Sequence, residues 1–382
     1  MVSTGTVADA AFAMTAEVVN VTGAAAATDA ADAAGGEVNR SRRRFTVAAA
    51  AGAALLASPS LVAQTRLEKS KVTVAVSAKT SFYQLPLTLA DQLGFFRAEG
   101  LDIELNDFAG GPGALQALQS GAADLVSGAY ENTISLQSKN QFCQAFVLMG
   151  RAPQIVVGVS TKTMPNFAAL ADLKGKKIGV SMLGSSTNRV VSLLWARAGL
   201  SPQDVTFVGV GTSGAALAAV RSGQIDAISN IDPIMTMLEQ KSEVKIIADT
   251  RTLMGTQAVF GGPMAACCLF APAEFLQKNP NTAQALANAV VRSLKWLQTA
   301  GPSDIIRTVP EAYLLGDRGL YLSAFNKVRE ALALDGLISE EATKTALKVL
   351  TLLEPAVRPE KIALARTYTN EFARRAKDRF KA

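Results

Sequence analysis

The chain has 382 residues, of which 49% are hydrophobic, and it carries 38 Lys and Arg against 32 Asp and Glu. This length allows about two domains, each with its own hydrophobic core. The sequence contains no histidine, which excludes Ser-His-Asp triads, Cys-His pairs and histidine-based zinc or haem sites. The net charge of +6 is modest, and no long basic stretch with interleaved aromatic residues occurs. Nucleic-acid binding is therefore not expected.

Residues 1–63 are predicted to be an N-terminal extension and an export signal that is removed. Residues 1–38 are rich in alanine and low in complexity, and such a composition buries too little apolar surface to fold. The run Arg42-Arg43-Arg44-Phe45 then precedes the apolar residues 47–57, an order that is typical of twin-arginine signals. As a helix this apolar stretch spans only about 16 Å, too short to cross a bilayer. We expect cleavage after Ala63 and a periplasmic location; a chance arginine cluster before an alanine-rich helix is the alternative.

The three cysteines do not form the pattern of a disulfide framework or a metal site. Their number is odd, and Cys267 and Cys268 are neighbours that could pair only with strain. Both lie in the apolar segment 264–270, and Cys143 stands alone. We expect all three to be small buried side chains. No cofactor, metal site or catalytic residue is predicted.

Two halves of the chain repeat one pattern. Residues 120–124 (Ser-Gly-Ala-Ala-Asp) recur as residues 222–226 (Ser-Gly-Gln-Ile-Asp). Upstream of each copy, a strand-like run leads through glycine-rich residues into a short apolar helix, at 110–118 and at 211–220. This alternation predicts an α/β fold in which each half forms a parallel-rich sheet flanked by helices. Two unrelated α/β segments with similar glycine usage are the alternative.

The repeat predicts two lobes with a cleft between them. We expect residues 71–157 and 259–382 to form the first lobe with the C-terminal helices, and residues 158–258 to form the second. Strand-rich segments at 145–160 and 258–270 separate the halves. They are predicted to be two strands that cross between the lobes.

In open α/β sheets, ligands bind beyond the carboxyl ends of the strands, and we expect loops from both halves to lie there. Among them, residues 184–187 (Gly-Ser-Ser-Thr) stand between a strand and a helix and offer backbone N–H groups and hydroxyls to an anion. An ordinary serine helix cap is the alternative. The candidate ligand-binding residues are Thr80, Ser81, Tyr83, Tyr130, Glu131, Arg151, Gly184, Ser185, Ser186, Thr187, Asn230 and Asp232.

The charged and aromatic candidates have separate expected roles. Arg151 is expected to pair with the charged end of the ligand, or else to be a solvated loop charge. Tyr83 and Tyr130 are expected to flank an organic body, or else to be ordinary core tyrosines. Glu131 and Asp232 have three interpretations: they bind an amine, orient neighbouring donors, or cap the next helix.

Several segments carry a family resemblance, in order along the chain: residues 85–96 with 99–104 (including Gly-Phe-Phe, then Glu-Gly-Leu), 173–180, 223–227 and 275–280. With them the sequence resembles periplasmic substrate-binding proteins of ABC importers of the nitrate, sulfonate and taurine type, which include relatives that bind thiamin pyrimidine precursors. The resemblance implies a two-lobed type II periplasmic-binding-protein fold whose lobes close around one small ligand. It also implies a monomer that delivers this ligand to a permease in the inner membrane.

The function expected from these features is capture of a small organic anion, such as a sulfonate, a taurine-like molecule or an aromatic carboxylate, without catalysis. One alternative is binding of a pyrimidine precursor of thiamin. Another is an enzyme of the related pyrimidine-synthase type, although that activity would be expected to use histidine, which the sequence lacks. A third is a periplasmic sensor domain.

Overall fold

The computed structural model describes residues 66–108 and 110–382. The predicted export signal and its cleavage site at Ala63 lie outside the described residues. Within the described part of the chain, ten strands form two five-stranded sheets. The strands are β1 (Lys71–Ser77), β2 (Asp102–Phe108), β3 (Leu125–Ala129), β4 (Cys143–Leu148), β5 (Ile155–Ser160), β6 (Lys177–Val180), β7 (Thr206–Gly209), β8 (Ala227–Ile231), β9 (Val244–Asp249) and β10 (Cys267–Pro272).

The two sheets have the same topology. Their strand orders are β2-β1-β3-β10-β4 and β7-β6-β8-β5-β9. In the first sheet β1 is parallel to β2 and β3, while β10 is antiparallel to β3 and β4. In the second sheet β6 is parallel to β7 and β8, while β5 is antiparallel to β8 and β9. The predicted α/β, parallel-rich fold is confirmed.

Helices cover the sheets and form a C-terminal layer. The helices of the described residues are α1 (Leu85–Gln92), α2 (Phe95–Ala98), α3 (Gly111–Gln119), α4 (Glu131–Gln137), α5 (Ser186–Arg197), α6 (Gly214–Ser222), α7 (Ile234–Gln240), α8 (Leu253–Phe260), α9 (Ala273–Lys278), α10 (Pro280–Thr299), α11 (Pro302–Thr308), α12 (Arg318–Val328), α13 (Glu340–Leu353) and α14 (Glu371–Phe380). None of the helices within the described ranges is both long and apolar enough to cross a membrane.

The repeated aspartates explain why the sequence pattern recurs in both halves. Asp124 accepts a hydrogen bond from the backbone N–H of Thr73 at 3.0 Å. Asp226 accepts the equivalent bond from the backbone N–H of Lys177, also at 3.0 Å. Each carboxylate thereby ties the turn before the third strand of its half to the start of the first strand. The repeat is structural at these two positions.

Two crossovers join the sheets. Each leads into the antiparallel strand of the sheet that it enters, which is β5 in the second sheet and β10 in the first. The first crossover (residues 149–154) leads from β4 into β5, and the second (residues 250–266), which contains α8, leads from β9 into β10. Strand β5 spans the expected lobe boundary at 157/158 and pairs with β8 and β9 along its length. The exact lobe boundaries stay predictions.

The core follows from the sequence of the strands. In β1 every residue from Val74 to Ser77 is buried, because helices cover both faces of the sheet. All three cysteines are buried and unpaired, with Cys143 in β4 and the other two at the start of β10. They are the small core side chains that the sequence predicts. The C-terminal helices α10 and α14 pack on one another and against the first sheet.

Candidate functional site

A cleft lies where the carboxyl ends of strands from the two sheets face each other. Ser77 and Ala129 end strands of the first sheet, while Ser181 and Ile231 stand at the ends of β6 and β8 in the second, and all four line one cavity. We call it the cleft cavity. Its remaining walls are Ala78, Tyr83, Gly110, Gly111, Pro153, Ile155, Ser185, Ser186, Thr187 and Thr212. This is the position that the α/β rule for ligand sites predicts.

A second space adjoins the cleft cavity and shares four of its wall residues. This side chamber is walled by Tyr83, Pro153, Ile155, Ser186, Glu131, Arg189, Val190, Phe260, Met264, Ala266, Val349 and Leu350. Its walls are mostly apolar, with one acid and one arginine. The cleft cavity has a volume of about 50 Å³ and the side chamber about 20 Å³, which is room for a few water molecules. The two sides of the cleft therefore lie close together at these walls.

The helix that enters the cleft from the second sheet begins with a hydroxyl cluster. Ser185 is the N-cap of α5, and its side chain accepts from the backbone N–H of Asn188. The Oγ of Ser181 lies 3.0 Å from Ser185 Oγ and 2.9 Å from Thr187 Oγ1. The backbone N–H groups of Ser186 and Thr187 lie in the first turn, where a helix provides no acceptor. They are free to donate to a ligand in the cleft cavity.

Three helix N-termini converge on the cleft cavity from both sheets. Gly110 and Gly111 line it at the start of α3, Ser186 at the start of α5, and Thr212 two residues before α6. A Cβ at Gly110 would lie 3.1 Å from the Cβ of Met182, so glycine permits the close approach of the two loops. Helix N-termini carry partial positive charge and donate N–H groups to anions. Since no arginine or lysine of the described residues lines this cavity, any bound anion would be held by dipoles and hydroxyls.

Five of the predicted residues meet around the two cavities. Tyr83, Ser185, Ser186 and Thr187 line the cleft cavity, and Glu131 lines the side chamber. The Oγ of Ser186 donates to Glu131 Oε1 at 2.5 Å, from one side of the cleft to the other. Burial raises the pKa of Tyr83 well above its usual range, so its phenol is neutral. The hydroxyl residues thus provide hydrogen-bond donors for an anion, and Tyr83 provides an aromatic ring beside them.

Tyr130 and Arg151 are not brought to the cleft. Tyr130 is fully buried, and its hydroxyl lies 2.6 Å from Thr367 Oγ1, with the ring edge-on to Tyr368. Burial also raises its pKa. Arg151 donates through Nε to the backbone carbonyl of Glu330 at 2.9 Å and lines a different groove. The expected tyrosine pair and the expected arginine contact are thus both missing from the cavity walls.

The remaining predicted residues support the loops around the cleft. Gly184 has a φ of +76° and donates its N–H to Asn188 Oδ1, and Ser81 donates to the backbone carbonyl of Ala78. Asn230 donates to the carbonyl of Gly211. Thr80 is half-buried and absent from the cavity walls.

Asp232 belongs to a buried charge cluster behind the cleft. Its carboxyl lies 3.3 Å from Arg251 Nη1, and Arg251 also contacts Asp249 and Glu239. Burial raises the pKa of Asp232, although the Arg251 charge opposes the shift. The backbone carbonyl of Asp232 accepts from the N–H of Phe82 at 3.4 Å. This residue therefore joins the two halves through its backbone.

Sequence reasoning missed Arg189, which lies one turn into α5. Its guanidinium is 2.8 Å from Glu354, 3.2 Å from Asn132 and 3.7 Å from Glu131. The three partners lie on the far side of the cleft from α5, in α4 and just after α13. The available signal was spacing: Arg189 follows Ser185 by one helical turn and therefore shares its face. With Ser186, it forms a polar contact between the two sides of the cleft.

The geometry of the cleft is that of a clamp, with contacts between its two sides. Among the described residues, no group of three or more Cys, Asp or Glu side chains is arranged to hold a metal ion. The cleft provides hydroxyls, free backbone donors, apolar walls and a contact that links its two sides.

Comparisons with known proteins agree with this architecture. Residues 81–302 match the family model described as NMT1/THI5 like. A solved structure from Bordetella bronchiseptica RB50 is 53% identical, with a TM-score of 0.82, and the match covers 83% of this chain and 100% of that one.

Of two more distant relatives, one is named as a binding protein and the other as an enzyme. The alkanesulfonate-binding protein SsuA from Xanthomonas axonopodis pv. citri, solved with bound MOPS, is 19% identical with a TM-score of 0.58, over 80% of this chain and 100% of that one. The 4-amino-5-hydroxymethyl-2-methylpyrimidine phosphate synthase of Schizosaccharomyces pombe is 24% identical over 59% of this chain and 64% of its own length. The first likeness shows a periplasmic-binding-protein fold. Because the family model covers more than half of its length, the chain belongs to the NMT1/THI5-like family.

Proposed function

We propose that this protein is the solute-binding component of an ABC importer and that it captures a small organic anion, such as a sulfonate, a taurine-like molecule or an aromatic carboxylate. One observation carries the proposal: three helix N-termini and a cluster of hydroxyls from both sheets meet in one cavity. Such a site compensates negative charge without a cationic side chain. Tyr83, Ile155 and Ile231 supply apolar contacts for an organic body.

The nearly closed cleft defines the binding cycle. The cleft cavity has a volume of about 50 Å³, well below the several hundred Å³ of typical ligand pockets, so we expect the lobes to separate when an organic anion enters. Separation breaks the Ser186–Glu131 hydrogen bond and the Arg189 contacts, and closure forms them again. A ligand that bonds to α5 and to Gly111 across the cleft would favour the closed state, because only that state makes both sets of contacts.

The cellular setting in this proposal follows from the sequence and the fold family. The twin-arginine pattern at residues 42–45 favours export to the periplasm. There a monomer would bind its ligand and pass it to a permease in the inner membrane. The family membership and the similarity to a sulfonate-binding protein support this role.

A second candidate function is supported by the relation to the pyrimidine phosphate synthase. In that case the cleft would bind a thiamin pyrimidine precursor, or the protein would be an enzyme of that type. Glu131 in the side chamber is a carboxylate that an aminopyrimidine could contact. The lack of histidine in the whole sequence favours binding over catalysis.

The test is a ligand screen by thermal shift on the full chain. The panel contains alkanesulfonates, taurine, aromatic carboxylates, nitrate and a hydroxymethylpyrimidine, and a bound ligand raises the melting temperature by mass action. Thr187→Val removes a hydroxyl from the cleft at similar volume, and Ser192→Ala, on the same helix outside the cleft, is the control. We expect one organic anion to stabilise the wild type and the control but not Thr187→Val. Stabilisation by the pyrimidine alone, or conversion of any panel member to a product, would refute the proposal.

A further inference from the structure

A larger cavity shares no wall residue with the cleft cavity or the side chamber. It has a volume of about 550 Å³. Its walls come from the first crossover (Arg151), the second crossover (Thr252), the end of α10 (Leu294) and the segment after α12 (Arg329, Leu332, Leu334). We call it the hinge groove. Both crossovers therefore contribute a wall residue to the hinge groove.

The charge of the hinge groove is unbalanced. Arg151, Lys327 and Arg329 line it together with one acid, Glu330. Lys327 is paired with Glu239 at 2.7 Å, and Arg329 donates to three carbonyls at the end of α10. Glu330 accepts from the backbone N–H of Leu253 at 2.7 Å. Two of the cations and the acid are therefore already engaged.

Arg151 is the cation that is available. Its Nε donates to the backbone carbonyl of Glu330 at 2.9 Å, and its own N–H donates to the carbonyl of Ala331 at 2.7 Å. These bonds fix the base of the side chain. Within the described part of the chain, its two terminal nitrogens make no hydrogen bond to protein. An arginine held in this way presents two parallel donors, the arrangement that binds carboxylates and sulfonates.

The eight remaining wall residues include five apolar side chains; the apolar residues are Leu294, Leu297, Leu332, Ala333 and Leu334, and the polar ones are Thr252, Gln298 and Asn326. Leu294 and Leu332 are buried side chains at the bottom of the groove, and Leu334 is a leucine with 50% of its surface exposed at the rim. A fixed guanidinium beside leucines matches a molecule with one charged end and one apolar end. A small inorganic anion would use only the arginine.

We propose that the hinge groove is a second binding site, separate from the cleft, for an amphiphilic organic anion. Its carboxylate or sulfonate pairs with Arg151, and its apolar part lies against Leu332 and Leu334. Because the groove contacts both crossovers, a ligand there touches the segments about which the lobes move.

The test uses the fluorescence of anilinonaphthalene sulfonate, an aromatic anion, titrated into the full chain. We expect Arg151→Gln and Leu334→Asp each to weaken the affinity at least tenfold, and Arg151→Lys, which keeps the charge, to weaken it by only a few fold. Arg375→Gln and Leu352→Asp are matched controls, because both residues are exposed elsewhere. Thr187→Val, in the cleft cavity, should leave this binding unchanged. Inorganic phosphate should not compete at the same concentration.

Two results would overturn the proposal. One is unchanged affinity in both Arg151→Gln and Leu334→Asp, and the other is loss of dye binding in Thr187→Val alone, which would place the dye in the cleft. Near-ultraviolet circular dichroism shows whether each variant is folded. Leu334 is exposed at the rim, so its variant keeps the test valid even if Arg151→Gln misfolds.

Discussion

Removal of the Ser186 hydroxyl should open the cleft. In the closed state this hydroxyl donates to Glu131 at 2.5 Å, and only 5% of the Glu131 surface is exposed. A hydrogen bond to a charged group contributes about 1.5–3 kcal/mol. Since about 1.4 kcal/mol corresponds to a tenfold change in an equilibrium constant, Ser186→Ala should shift the ratio of closed to open protein roughly 10- to 100-fold. Arg189 stays near Glu131 at 3.7 Å, so we expect the lower end of that range.

The assay is fluorescence energy transfer between dyes on the two lobes of the ligand-free protein. Gln119→Cys, at the last residue of α3, and Ser222→Cys, at the last residue of α6, provide one exposed labelling site on each half. The three native cysteines are buried, so they should not react. Ser192→Ala is the control, because it removes a serine hydroxyl from the same helix, α5, at a position that does not line the cleft.

We expect Ser186→Ala to increase the open fraction and Ser192→Ala to leave it as in the wild type. An identical transfer distribution for Ser186→Ala and the wild type would refute the reasoning. It would show that the other contacts between the lobes, such as those of Arg189 with Glu354 and of Lys327 with Glu239, are sufficient to hold the cleft closed.

Three further predictions concern stability and reactivity. Gly255→Ala places a Cβ 1.9 Å from a backbone oxygen and should destabilise the protein by about 1–3 kcal/mol or more in urea unfolding, whereas Gly209→Ala meets nothing within 4 Å and should change little. Burial acts to raise the pKa of Glu239, but the stronger effect of Lys327 and Arg251 leaves this pKa below its usual value of 4.5. The ionised carboxylate therefore stabilises the folded protein above pH 4.5, and this stabilisation is lost as the pH falls. Glu239→Gln should lower the unfolding free energy at pH 7 and have less effect in acid. Burial raises the pKa of Cys143 to about 12, so Ellman's reagent should react with it only after unfolding, and fast reaction in the native protein would contradict this placement.

Local sequence was sufficient for the fold and for part of the cleft. The repeated glycines and aspartates at 120–124 and 222–226 predict two equal halves, and the two sheets have matching strand orders. The loop at residues 184–187 was predictable because a helix cap, its hydroxyls and its free N–H groups are all encoded within a few residues. Its place in the cleft follows from the carboxyl-end rule.

The partners of long side chains were decided by the tertiary structure. Tyr130 and Arg151 have the chemistry of ligand contacts, yet the first bonds to Thr367 and the second to Glu330, residues that are distant in sequence. Arg189 looked like an ordinary helix residue until folding placed Glu131 and Glu354 opposite it. Periodicity and caps depend on neighbours along the chain, so the sequence contains them directly. Which charge meets which across a cleft depends on how the two halves pack, and no short stretch of sequence contains that information.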